Sequence, residues 1–173
     1  QGLEQVNPDY FATPERWRQL EELKAKKLGW CDIDMKYGTV GAVAVDNEGN
    51  VAAGTSTGGL TGKRWGRIGD SPVIGAGNYA DNRACAISAT GAGEFFIRLG
   101  VAHEICARMR MLGEDAKTAA DHVIKELGLL GGTGGVIVTA PDGTATFSFN
   151  TPGMYRGKAT SKGDKMVAVY GDE

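Results

Sequence analysis

The 173 residues are 42% hydrophobic and 23% charged, with a formal charge of −2. That is enough chain for one domain with a real core, and it gives no electrostatic footing for nucleic acid or an anionic membrane surface. No apolar run approaches the ~20 residues of a spanning helix, and Gln1–Gln5 has neither the basic region nor the apolar core of a signal peptide. The chain opens on Gln1 rather than a methionine, so a start inside a longer precursor is expected. Cys31, Cys85 and Cys106 are odd in number and far apart. The expectation is therefore buried thiols in a reducing compartment, the cytoplasm, with no disulfide framework or Cys-x-x-Cys metal site. The 27 glycines are about twice the average share of roughly 7%. They cluster between and inside apolar runs, where glycine serves close backbone approach rather than linker flexibility.

In chain order, residues 1–12 are irregular. Thr13-Pro14-Glu15 supplies a hydroxyl cap, a first-turn proline and an acid, which predicts a helix to about Lys27 with Trp17, Leu20 and Leu23 as its apolar stripe. Residues 29–37 lack a period and read as an exposed linker. Two apolar runs, Thr39–Val45 and Val51–Thr57, flank the turn Asp46–Asn50 and predict a hairpin. The glycine-broken stretch 58–72 is a loop, and Val73–Tyr79 and Ala84–Ala89 read as strands. Thr90–Gly93 then opens one long helix with Phe95, Leu99, Ala102, Cys106, Met109 and Leu112 on a single face, stopped by Gly113. A second helix starts near Glu114. Val136–Ala140, Thr144–Asn150 and Met166–Tyr170 read as closing strands. Runs of strands and runs of helices argue for an α+β fold of stacked antiparallel sheets and helices, rather than a parallel doubly wound one.

Several constellations carry chemistry. Cleavage between Gly38 and Thr39 would leave a threonine holding both a hydroxyl and a free α-amine, a nucleophile with its own general base. Without that cleavage, Gly38 is a loop residue before a strand. Thr57 closes the second hairpin strand beside Thr39, although threonine is common in strands. Arg67 and Asp70, three residues apart among glycines, match the carboxylate and ammonium of an amino-acid head group; a surface ion pair is the competing reading. Thr90-Gly91, at the expected helix start, offers donors for an oxyanion, or simply a hydroxyl cap. Gly75-Ala76-Gly77-Asn78-Tyr79-Ala80 matches a dinucleotide glycine pattern but leads into a strand instead of opening a helix, and the Gly62-Lys63 pair fails the phosphate-loop spacing. His103 and His122 read as structural, and Glu94 and Glu104 as a solvated helix face.

Five motifs recur in order: Gly38-Thr39-Val40-Gly41-Ala42-Val43-Ala44, Thr55-Ser56-Thr57-Gly58-Gly59, Gly66-Arg67-Ile68-Gly69-Asp70-Ser71-Pro72, Gly75-Ala76-Gly77 and Ala89-Thr90-Gly91-Ala92-Gly93-Glu94. In these the sequence resembles the plant-type L-asparaginases, or isoaspartyl peptidases, of the N-terminal-nucleophile hydrolases, relatives of glycosylasparaginase. The resemblance covers nearly the whole chain. It implies a four-layer αββα sandwich, with residues 1–38 as the tail of an α-subunit and 39–173 as the β-subunit, together part of a single domain. It implies autocleavage at Gly38-Thr39, with Thr39 as nucleophile and Thr57 hydrogen-bonding near it. Thr90 and Gly91 would form the oxyanion hole, and Arg67, Asp70 and Gly93 the substrate pocket. The implied reactions are hydrolysis of L-asparagine and of β-aspartyl dipeptides, with no cofactor in the chemistry and an (αβ)2 assembly.

The resemblance also implies that the N-terminal part of the α-subunit, which would carry any structural sodium, is missing from these 173 residues. An incomplete or non-catalytic member that needs a partner chain is therefore the alternative reading, and a glycosylasparaginase-like enzyme another. The latter is disfavoured because a secretory, disulfide-bearing design is not evident in the sequence.

Overall fold

The computed structural model describes residues 2, 4–26, 38–63 and 65–172, and the chain divides into two compact units. One comprises Gln1–Gly38 with Gly59–Arg67, the other Thr39–Gly58 with Ile68–Glu173. In the first unit, a 3-10 turn at Pro8–Phe11 precedes helix α1, Pro14–Ala25. The Thr13 hydroxyl accepts the Arg16 N–H at 3.3 Å, and Pro14 occupies the first turn, as the sequence predicts. Of the expected stripe only Leu23 is buried, while Trp17 is 55% exposed. The loop from Gly59 packs on the same helix. Thr61 donates to Gln19 Oε1 at 3.3 Å, and a Cβ at Gly62 would stand 2.3 Å from Leu23. The linker expected at 29–37, with Cys31, lies outside the described residues.

In the second unit, strands β1 (Thr39–Val45) and β2 (Val51–Thr57) form the predicted antiparallel hairpin, in register from Thr39↔Thr57 to Val45↔Val51. Asp46 closes its turn by accepting the N–H groups of Glu48 and Asn50, each at 2.8 Å, and the Asn50 side chain. These bonds, led by that of the Asn50 side chain, hold its carboxyl below the usual range. A four-stranded antiparallel sheet follows in the order β3 (Asn78–Asp81), β4 (Cys85–Gly91), β5 (Gly134–Thr139) and β6 (Ala145–Phe149). Strands β7 (Gly153–Ala159) and β8 (Lys165–Tyr170) pair separately.

Strand β4 organises the layers because side chains alternate along it. Cys85, Ile87 and Ala89 point into a core with Val136 and Val138 of β5 and the helices α2 (Gly93–Leu99), α3 (Val101–Leu112) and α4 (Ala116–Leu129). Its other face, with Ser88, meets the β1–β2 hairpin. The second unit is thus hairpin, sheet and helices in sequence, a mixed α+β architecture.

Three expectations are corrected. The helix expected from Thr90 to Leu112 is two helices, because Gly100 takes a left-handed φ of 58° between them. The amides freed at the start of α3 donate instead to the carbonyls of Ala76 and Gly75, at 3.2 and 2.8 Å. Residues 75–77 are accordingly a turn, and the strand expected from Val73 begins only at Asn78. Cys85 and Cys106 are disulfide-bonded rather than free thiols. Each lies on the inward face of its element, and packing β4 against α3 sets their Cα atoms 5.7 Å apart, which sequence spacing does not disclose.

Asp81, at the end of β3, accepts from Arg83 and pairs with Arg110 of α3 at 3.2 Å. The Arg83 side-chain bonds chiefly hold its carboxyl down at about 2. A depressed carboxyl pKa contributes stability that is complete above the unfolded value near 3.9 and is lost as pH falls through the folded one. Asp81→Asn should therefore lower the urea midpoint at pH 7 and leave it close to wild type near pH 2, read by denaturation across that range.

Candidate active site

The register of the hairpin makes Thr39 and Thr57 direct partners, and Thr39 Oγ1 donates to Thr57 Oγ1 at 3.2 Å. Two further contacts fix where this pair lies along β4. Near the turn end of the hairpin, Val51 N–H donates to Asn82 Oδ1 at 2.9 Å, and Asn82 Nδ2 donates to Asn50 Oδ1 at 2.8 Å. Farther along, Thr55 Oγ1 and Ser88 Oγ are 2.6 Å apart. Strand β2 therefore runs in the direction of β4. Thr57 lies two residues beyond Thr55 and Thr90 two residues beyond Ser88, so both pairs reach the same end of the layered sheets.

Asp70 comes to this end as well. A Cβ on Gly93 would stand 2.5 Å from Asp70 Oδ1, so the absence of a side chain at Gly93 admits the buried carboxylate. The Asp70 loop is anchored from below: Gly77 N–H donates to Asp70 O at 3.1 Å, and Asn78 Nδ2 to Ser71 O at 2.7 Å. Five predicted residues of the second unit, Thr39, Thr57, Asp70, Thr90 and Gly93, with Gly91 beside Thr90, thus belong to one end of the β1–β2 and β4 layers. Arg67, half-buried, belongs to the first unit, as does exposed Gly38.

The setting of Thr90-Gly91 differs from the expected helix cap. Both are the last residues of β4, and the cap position of α2 is Ala92, which makes no side-chain cap bond. Gly91 pairs with Gly134 of β5 at a φ of +149°, where a Cβ would come 2.3 Å from Thr133 O. Asn150 braces that neighbour strand, accepting from Gly134 N–H at 2.8 Å and donating to Gly132 O at 2.9 Å. His103 and His122 are exposed on the helix layer, His103 meeting Tyr79 edge-on. Glu94 and Glu104, expected on a solvated face, are half-buried, and Glu104 faces Arg108 at 3.9 Å. Among the described residues no three His, Cys, Asp or Glu side chains gather as a metal site would require. Sequence reasoning missed Thr55, Ser88 and Asn150. Thr55 and Ser88 each precede a predicted site residue by two positions, and that spacing on a strand is a usable signal.

The family model for asparaginases matches residues 1–169. This chain belongs to the asparaginase family. It is 47% identical over 180 residues to an isoaspartyl peptidase of Salmonella typhimurium, covering 98% of this chain and 57% of that protein. It is 44% identical over 179 residues to the isoaspartyl peptidase of Escherichia coli, covering 98% and 55%. To an isoaspartyl peptidase/L-asparaginase of Xenopus laevis it is 40% identical over 176 residues, covering 100% and 56%. The chain spans about half the length of these asparaginase-family relatives.

The glycine contacts make a sharp prediction for this family member. Gly91→Ala should cost about 1–3 kcal/mol of unfolding free energy, because the new methyl has no room and the backbone resists a side chain. Gly54→Ala, with nothing within 4 Å of its Cβ, should stay within about 0.5 kcal/mol of wild type. Urea denaturation of both variants checks the contrast.

Proposed function

We propose that this chain carries the nucleophile of an amidohydrolase that cuts itself between Gly38 and Thr39 and then hydrolyses L-asparagine and β-aspartyl (isoaspartyl) dipeptides. The observation that carries the reading is the Thr39–Thr57 hydroxyl pair at the first residue of β1, at the end of the sheets where the Asp70 carboxylate meets Gly93. The names of the relatives favour the same substrates.

In maturation, Thr39 Oγ attacks the Gly38 carbonyl, the acyl group shifts from nitrogen to oxygen and so frees the Thr39 amine, and water hydrolyses the ester to release the Gly38 carboxylate and the Thr39 hydroxyl. In turnover, Thr39 Oγ attacks the side-chain amide carbon of the substrate. The α-amine takes the hydroxyl proton and passes it to the departing nitrogen, so ammonia leaves asparagine, or a free amino acid leaves a dipeptide. Water, deprotonated by the same amine, then splits the β-aspartyl ester, releasing aspartate and returning the proton to Thr39. Thr57 orients the nucleophile, and Thr90 and Gly91 receive the developing oxyanion. Arg67 holds the substrate α-carboxylate and Asp70 its α-ammonium, with Gly93 shaping the floor of the pocket. No cofactor enters these steps.

The remaining α-region, matching the length that the relatives have beyond this chain, would complete a four-layer αββα sandwich, bring any structural sodium and assemble as (αβ)2. One fact favours a second reading, an incomplete member that acts only with a partner chain: the half-length coverage of its relatives. The Cys85–Cys106 disulfide removes the disulfide part of the argument that set a glycosylasparaginase-like enzyme aside, and the cytoplasmic location we propose no longer draws on free thiols.

Ammonia release from asparagine and amino-acid release from a β-aspartyl dipeptide test the reading, assayed with the α-region present. Both activities should rise with pH through about 7.7–8.0, the ordinary range of an α-amine, and Thr39→Ala should abolish both. Hydrolysis that persists in Thr39→Ala would overturn the assignment.

A further inference from the structure

The Thr55–Ser88 contact lies beneath the nucleophile pair and belongs to no reacting group. Thr55 Oγ1 donates its only proton to Gly77 O at 3.0 Å, so the 2.6 Å contact with Ser88 Oγ must be Ser88 donating and Thr55 accepting. Ser88 is 3% exposed, which leaves its hydroxyl no alternative in water. The Gly77 carbonyl also accepts the Ala89 N–H at 2.9 Å, and Gly77 N–H donates to the Asp70 carbonyl at 3.1 Å. One short chain of bonds therefore joins β2, β4, the glycine turn and the Asp70 loop. Its geometry depends on Gly41, the partner of Thr55 across the hairpin, because a Cβ there would fall 2.0 Å from Ser88 Oγ. The hairpin can settle onto Ser88 only where residue 41 has no side chain.

From this arrangement we propose that Thr55 and Ser88 are positioning residues: their hydroxyl bridge locks the nucleophile hairpin onto β4 and thereby sets Thr39 against the Thr90-Gly91 oxyanion donors. The inference rests on the reading of Thr39 as nucleophile and adds the residues that aim it. Each bridge residue is two positions from the group it places, Thr55 from Thr57 and Ser88 from Thr90. A loosened bridge moves the two layers relative to each other, and Ser88→Ala does so while leaving the Thr55–Gly77 bond toward the Asp70 loop in place. The expected signature is a loss of turnover at unchanged affinity.

The test compares Thr55→Val, Thr55→Ser, Ser88→Ala and the Thr55→Val/Ser88→Ala double variant in the active protein, with Thr39→Ala in parallel. Kinetics on asparagine are measured beside the urea midpoint. Thr55→Val and Ser88→Ala should each lower kcat by about 10–100-fold, the scale of an ångström-sized misplacement, with KM within about twofold. Thr55→Ser should restore kcat, and the double variant should be no worse than the poorer single, since both remove one bridge. If Thr55→Val fails to fold, Ser88→Ala and Thr55→Ser still decide the matter. Wild-type kcat in folded Thr55→Val or Ser88→Ala, with Thr39→Ala inactive, would overturn the positioning role alone. Activity surviving in Thr39→Ala would overturn the nucleophile assignment and this inference with it. A fall in kcat that Thr55→Ser does not restore would trace the loss to the Thr55 methyl rather than its hydroxyl, and a fall in Ser88→Ala that only follows a lower urea midpoint would mean that the bridge serves stability; either result would overturn the proposal.

Discussion

Everything at the candidate site depends on how closely the β1–β2 hairpin lies on strand β4. Two β layers normally pack about 10 Å apart through interdigitated side chains. Here the contact includes a bare glycine, Gly41, over a serine hydroxyl, with Thr55 and Ser88 bonded across the gap. A small residue on each side lets polar atoms of the two layers touch directly. The cost is that the Ser88 hydroxyl leaves water, and the bonds among Thr55, Ser88 and Gly77 offset it. Because the hairpin is also tied at Asn82, it is held at two points and its open end has a defined place.

The same logic explains much of the glycine content. Gly77 admits the Asp70 backbone, Gly93 admits the Asp70 carboxylate, and Gly91 and Gly134 face each other across β4 and β5. At each of these positions a methyl group would fall within 3 Å of a neighbouring atom. The glycines thus bring main chain and carboxylate together where a strand, a turn and a helix start converge. Close main-chain approach of this kind costs little side-chain entropy, because few long side chains must be ordered to hold the parts together.

Much of this was legible in the sequence where local chemistry decides the outcome. The hairpin of 39–57, the Thr13 cap of α1, the start of α4 just after Glu114 and the stop at Gly113 follow from patterning, capping and turn residues. What escaped depends on tertiary contact. The apolar period of residues 95–112 runs straight through Gly100, so the break appears only where the first amides of α3 find the carbonyls of residues 75 and 76. Strand β7 is rich in glycine and basic residues and carries no alternation to read. The Cys85–Cys106 bond joins residues 21 positions apart whose proximity comes from packing alone. At the site, the motif order identified Thr39, Thr57, Asp70, Thr90, Gly91 and Gly93 by resemblance. Thr55 opens one of those motifs, but Ser88 lies in none of them, and the bridge between the two became visible only when two strands distant in sequence were laid together.

The claim on which the account turns is that Thr39 is a nucleophile able to release its own amine. The intact mass of the purified protein under denaturing conditions, with the α-region present, tests it most directly. The account predicts two species that divide between Gly38 and Thr39, the second beginning with a free threonine. A single uncut mass after prolonged incubation, or a cut at any other bond, would contradict it.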